Sequence, residues 1–120
     1  MEQDIYKTPI LNSRSAVTLV KHEGLITPEH RCATISLDAN HLPIRPEDIE
    51  SDPLAVKSVI VVTRRTGDPT PTPTEIEFCA AWKKALDGTG VQLVDYIIMS
   101  GGAYYSFADE RTRGRKPKGI

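Results

Sequence analysis

Cysteine is scarce in this chain: Cys32 and Cys79 are the only two in 120 residues. One pair cannot form the disulfide framework of a small secreted domain, and both thiols are expected in the core as small apolar groups. Histidine is nearly as rare, at His22, His30 and His41. His30-Arg31-Cys32 places two metal donors at alternate positions, yet no second pair follows at zinc-finger spacing. A satisfied or surface histidine and a core cysteine are the simpler reading. A zinc deaminase needs a His-x-Glu and a Pro-Cys-x-x-Cys, and neither is present. No nucleophile elbow supports Ser-His-Asp chemistry. No apolar run approaches the roughly 20 residues that span a bilayer. The segment Met1-Glu2-Gln3-Asp4 is acidic and lacks an apolar signal core, so the expected location is cytoplasmic. Internal repeats and Gly/Ser linkers are also missing.

What remains suits one small α/β domain. Hydrophobic residues make up 39% and charged residues 26%, the balance of a modest globular core. The net charge of −1 conceals an asymmetry. Arg111, Arg113, Arg115, Lys116 and Lys118 fall in the last ten residues without an acid among them. Residues 1–110 consequently hold 10 basic and 16 acidic residues. The expected division is therefore a domain over 1–110 and a basic, disordered tail over 111–120. Such a tail can serve as a phosphate-seeking arm for nucleic acid. The simpler reading is a solubilising tail or an arm that pairs with the acidic body, since no aromatics interleave its charges as stacking on bases would require.

Residues 1–11 read as extended, with Pro9 excluding a helix. Asn12 or Ser13 caps a helix running to about His22, with Ala16, Val17, Leu19 and Val20 on its apolar side and Gly24 as its stop. Arg31 to Leu37 alternates like a half-buried strand. Asp38-Ala39-Asn40-His41 has turn composition, and Leu42-Pro43-Ile44 begins a second strand that Pro43 weakens. Residues 45–55 read as irregular. Ser58 to Val62 is a β-branched run suited to a buried central strand. Thr72 or Thr74 caps the following helix, and Thr74-Glu75-Ile76-Glu77 spells a capping box. Ile76, Phe78, Cys79, Ala81, Trp82, Ala85 and Leu86 predict a wide apolar face on that helix, which ends at Gly88 or Gly90. Val91 to Met99 predicts a strand, Gly101-Gly102 a hairpin turn, and Ala103 to Phe107 the return strand.

The stretch from Gly67 to Glu77, Gly-Asp-Pro-Thr-Pro-Thr-Pro-Thr-Glu-Ile-Glu, resembles the loop-into-helix segment of the RadC-like branch of the JAB/MPN metallopeptidase superfamily. Three further stretches resemble the same family in order. Ile35 to Asn40 is similar to its Leu-Leu-Asp-x-x-Asn strand and turn. Gly90 to Ile98 is similar to Gly-Ile-x-Leu-x-Asp-His-Ile-Ile. Gly102 to Phe107 is similar to Gly-x-Tyr-x-Ser-Phe. The resemblance covers most of residues 12–107. It implies a mixed sheet flanked by helices, here in a shortened form.

In that family a strand ends in His-Asn-His-Pro-Ser before the Gly-Asp-Pro turn, and the two histidines hold zinc with an Asp of the next helix. The resemblance places Val62 and Arg64 at the histidine positions, Thr72 at a serine and Glu75 at the Asp. Zinc hydrolysis needs about three protein ligands and an open position. Val62 has no donor, Arg64 is a permanent cation, and Tyr96 replaces a histidine. About fifteen residues, Arg45 to Val59, stand where the family has a longer segment with a helix and a catalytic Glu nearby. Glu47 and Glu50 fall there without a match to that base.

The resulting expectation is a metal-free relative with no cofactor and no catalytic residue, acting as a protein-interaction module. Metal-free members of the superfamily serve as scaffolds. Two other classes stay open: a zinc metallopeptidase or isopeptidase with other ligands, and a nucleic-acid-associated protein using the basic tail. At the former site, Arg64, Arg65 and Glu75 are the candidate binding residues. Arg64 either pairs with Glu75, joins a helix N-terminus in holding an anion, or is simply solvated.

Overall fold

The computed structural model describes residues 5–27 and 31–112. Four strands, β1 (Cys32–Leu37), β2 (Ser58–Arg64), β3 (Gln92–Ser100) and β4 (Ala103–Ser106), form one sheet in that order. β2 and β3 are parallel, while β1 and β4 pair antiparallel on the outside. Four helices accompany them: α1 (Ser13–Glu23), α2 (Pro46–Ser51), α3 (Pro73–Leu86) and α4 (Phe107–Thr112). This is the expected α/β arrangement, a mixed sheet with helices around it.

The β-branched run Val59-Ile60-Val61-Val62 is buried throughout. It therefore takes an inner position, where both faces of the sheet are covered. Parallel strands cannot be joined by a tight turn, so α3 is the crossover between β2 and β3. Strand alternation sends Ile60 and Val62 to one face, where they pack with Ile35, Leu37, Ile97 and Met99 beneath Ala16, Val17, Leu19 and Val20 of α1. Val61 points to the other face, with Tyr96, Ile98, Phe107 and Cys79 of α3. The register shifts between Val59 and Ile60. Fully burying a side chain such as Val61 or Ile97 contributes about 1.5–3 kcal/mol.

α1 begins and ends where its sequence signals say. Asn12 accepts the Ser15 N–H at 2.8 Å, and Gly24, at φ 60, closes it in the left-handed conformation. The Asp38 carboxylate shapes the turn after β1 by accepting from the N–H groups of Asn40 (2.8 Å) and Leu42 (3.1 Å). The expected strand at Leu42–Ile44 reduces to an isolated bridge between Leu37 and Pro43, because Pro43 has no N–H to donate.

Several elements differ from the sequence reading. Ile5–Lys7 is a 3-10 turn rather than extended chain, since Pro9 restrains only the residues next to it. Residues 46–51 form α2, with Pro46 in the first turn and Glu47 and Asp48 at the N-terminus. A 3-10 turn at Pro53–Ala55 follows. α2 buries no residue, so it carries no apolar period to read. Phe107 starts α4 instead of ending β4, because Ser106 caps it by accepting the Asp109 N–H at 3.0 Å. α4 runs past the expected domain boundary at 110 into Arg111 and Thr112. The tail residues Arg113, Arg115, Lys116 and Lys118 lie outside the described residues.

Candidate functional site

The stretch that resembles the metal-bearing segment sits at the carboxyl end of the β2–β3 pair. In open α/β sheets ligands commonly bind at such ends. β2 finishes at Arg64, and the Arg65 N–H still donates to the Met99 carbonyl at 2.9 Å. The chain then turns through Gly67, whose φ of 86 suits glycine. The Ser100 hydroxyl donates to the Gly67 carbonyl and ties this turn to the end of β3. Asp68 accepts from the N–H of Thr70 (2.9 Å) and from its hydroxyl (2.7 Å). Those two bonds, with the charge of Arg65 behind them, hold its carboxyl below the usual range.

Thr72 caps α3 in a full capping box. Its hydroxyl accepts the Glu75 N–H at 3.3 Å, and Glu75 Oε1 accepts the Thr72 N–H at 2.8 Å. The box is therefore Thr72 to Glu75 and not Thr74 to Glu77. The same Glu75 oxygen receives Arg65 Nη1 at 2.8 Å, and Arg65 also donates to the Thr70 carbonyl at 2.9 Å. The cation that meets Glu75 is thus Arg65, where the sequence pointed to Arg64. The reason is the two-residue period of a strand. Arg65 follows the α3 side of the sheet, whereas Val62 and Arg64 alternate to the α1 side. Val62 is fully buried under α1, and Arg64 is exposed beyond it.

Tyr96, where the resemblance implies a histidine, is buried on the α3 side with its ring edge-on to Phe107 at 5.6 Å. Burial lifts its hydroxyl to about 12, with Cys32, Cys79 and Glu75 adding to the rise and a hydrogen bond to Thr63 opposing it. Cys79 is fully buried beside it, and burial pushes its thiol up to about 11, so it stays neutral. Cys32, by contrast, is exposed on β1 and is not the core residue its type suggested. His30 lies outside the described residues. His41 is exposed at the turn after β1, with φ 62.

These donors do not fit a zinc ion. Val62 offers none, Arg64 repels a cation, and one oxygen of Glu75 already accepts two hydrogen bonds. Among the described residues no group of three His, Cys, Asp or Glu is placed to hold a metal. Glu47 is exposed on α2, as is Glu50.

A constellation that the sequence reading did not single out lies at the opposite end of the chain's last hairpin. Asp95, 4% exposed, accepts from the Ser106 hydroxyl (2.5 Å), the Tyr96 N–H (2.7 Å) and the Ala108 N–H (3.0 Å). Burial lifts its carboxyl to about 6 against the pull of those bonds, and Asp109 nearby adds to the rise. Asp109 in turn accepts the Ser13 hydroxyl at 2.5 Å, which joins α4 to α1. Ser106-Phe107-Ala108-Asp109, with its capping spacing, was the available signal for this junction.

A family model described as a RadC-like JAB domain matches residues 38–112. The chain belongs to the RadC-like JAB domain family. The chain is 33% identical over 75 residues to a UPF0758 protein of Carboxydothermus hydrogenoformans, a match covering 60% of this chain and 33% of that protein. It is 32% identical over 69 residues to a UPF0758 protein of Aquifex aeolicus, covering 55% of this chain and 30% of the other. A UPF0758 protein of Geotalea uraniireducens is 34% identical over 55 residues, covering 46% and 24%. The matched part thus spans about a third or less of each of these relatives. The matched stretch of this RadC-like JAB domain contains the Gly-Asp-Pro turn, the capped helix α3 and the β3–β4 hairpin. Among the described residues no helix is long and apolar enough to cross a membrane.

Proposed function

We propose that this RadC-like JAB domain is non-catalytic and works as a protein-interaction module. The observation that carries the reading is the rebuilt strand end. Val62 is sealed in the core, and Glu75 is committed to the capping box and to Arg65. A water-activating metal would need these positions to supply nitrogen or carboxylate donors with a vacant coordination place. The outward face of α3 supports a binding role: Phe78 is 56% exposed, and Ala81 and Ala85 are exposed at i+3 and i+7. Apolar residues at that spacing form a stripe on one side of a helix.

Hydrolysis of an isopeptide-linked substrate, measured with added zinc and with chelator, tests the first half of the proposal. The rate is expected to equal the buffer rate under both conditions. Zinc-dependent turnover that chelation abolishes would establish the metallopeptidase alternative. A photo-crosslinking residue at Phe78 tests the second half. It is expected to trap a discrete protein adduct in cells, with none from the same residue at exposed Lys84. Indiscriminate labelling from both positions would remove the case for an interface on α3.

A further inference from the structure

Arg31 and Arg64 stand directly opposite each other where β1 meets β2. Cys32 pairs with Thr63, and the next step of the ladder joins the Arg64 N–H to the Arg31 carbonyl at 2.8 Å. Residues directly opposite in an antiparallel pair share a face, with Cβ atoms about 4.5–5.5 Å apart, and like charges there are destabilising. The obvious relief would be an acid between them. Among the described residues neither side chain has a salt bridge or a side-chain hydrogen bond. Among the described residues, the carboxylates of the loop and helix start that follow β2 are engaged elsewhere, Glu75 with Arg65 and Asp68 with Thr70.

The surroundings add to the positive charge. Arg31, Arg64, Arg65 and Thr66 line a cleft of 350 Å³. Arg64 also lines an adjoining cleft of 310 Å³ with Lys21 and Gly24 at the end of α1. A chain whose first 110 residues carry net −6 thus gathers Lys21, Arg31 and Arg64 around one strand end, and among the described residues no carboxylate lines either cleft. Departures from the sheet's own preferences are expected at functional or strained positions.

We propose that Arg31 and Arg64, with Lys21 at the rim, bind the terminal phosphate of a small phosphomonoester such as a nucleotide. Two guanidinium forks from one side match the three terminal oxygens and double charge of a phosphomonoester better than a singly charged diester. The inference goes beyond the interaction role and does not depend on whether the domain is catalytic.

The test is a titration of the full chain with inorganic phosphate and then with adenosine monophosphate, at constant ionic strength, followed through the arginine Nε–Hε signals. Saturable shifts confined to Arg31 and Arg64 are expected. Arg31→Gln and Arg64→Gln should each weaken binding about tenfold, the cost of one charge-assisted interaction. Arg14→Gln, on the exposed side of α1, should leave it unchanged. Phosphate should raise the thermal midpoint of the wild type more than that of Arg64→Gln. In low salt without phosphate, Arg64→Gln should itself melt higher, because the opposed charges are gone. Absence of saturation at millimolar phosphate would overturn the proposal. So would equal loss in Arg14→Gln, or tight binding of an oligonucleotide lacking a terminal phosphate. If a variant fails to fold, the wild-type arginine signals decide alone.

Discussion

Asp95 shows how one residue can stabilise a fold and limit it. Three donors converge on its carboxylate, yet burial lifts it from 3.8 to about 6. The unfolded chain therefore loses this proton first as pH rises, and the folded chain keeps it until about 6. Across that window the native state binds more protons, so stability falls with rising pH. Asp95→Asn is expected to remove this part of the slope, read as the wild-type-minus-variant difference in unfolding free energy between pH 4 and pH 7 on the order of 2 kcal/mol. Asp95→Ala should cost about 2–4 kcal/mol at pH 7, because the Ser106 hydroxyl and two N–H groups lose their acceptor. An unchanged pH slope in Asp95→Asn would show that the group titrates normally. At the other end of β3, Arg65 and Glu75 form a partly exposed pair at 2.8 Å. A double-mutant cycle between Arg65→Ala and Glu75→Ala should give a favourable coupling of about 0.5–1 kcal/mol that shrinks with salt. The same cycle with Arg64 should give none.

At the scale of elements, α3 is held by its capped N-terminus and a narrow buried stripe. Cys79 is its one fully buried residue, with Ile76, Trp82 and Leu86 half-buried on the same side. The sequence predicted a wide apolar face because it counted Phe78, Ala81 and Ala85, which in fact point outward. Composition alone cannot show which side of an apolar helix the sheet will take. Thr72→Ala should therefore cost about 1 kcal/mol through loss of the capping box, while Phe78→Ala should stay within about 0.5 kcal/mol. Hydrogen exchange should open α3 before β2 and β3. Equal protection would mean that the helix is anchored more firmly than its burial indicates. β2, β3 and α1 were legible because their residues are buried with clear periods and caps. α2 and α4 were not, since α2 buries nothing and α4 follows a strand without a break. Their signals lay in Pro46 with Glu47, and in the Ser106 to Asp109 spacing.

Across the whole molecule, the sheet separates two sides that the sequence had merged. The family frame put Val62, Arg64 and Glu75 at one site, and the positions along the chain were readable from the Gly-Asp-Pro turn. Their convergence was not, because a single residue along a strand exchanges one face for the other. Val62 and Arg64 turn toward α1, while Arg65 meets Glu75 on the α3 side. In this RadC-like JAB domain the strand end carries a buried valine, an ion pair and an arginine cleft. The most direct test is the zinc content of natively purified protein from zinc-supplemented cells, measured by elemental analysis. The arrangement predicts well under one zinc per chain, with the thermal midpoint unaffected by chelator. One tightly held zinc per chain, lost together with stability on chelation, would contradict it.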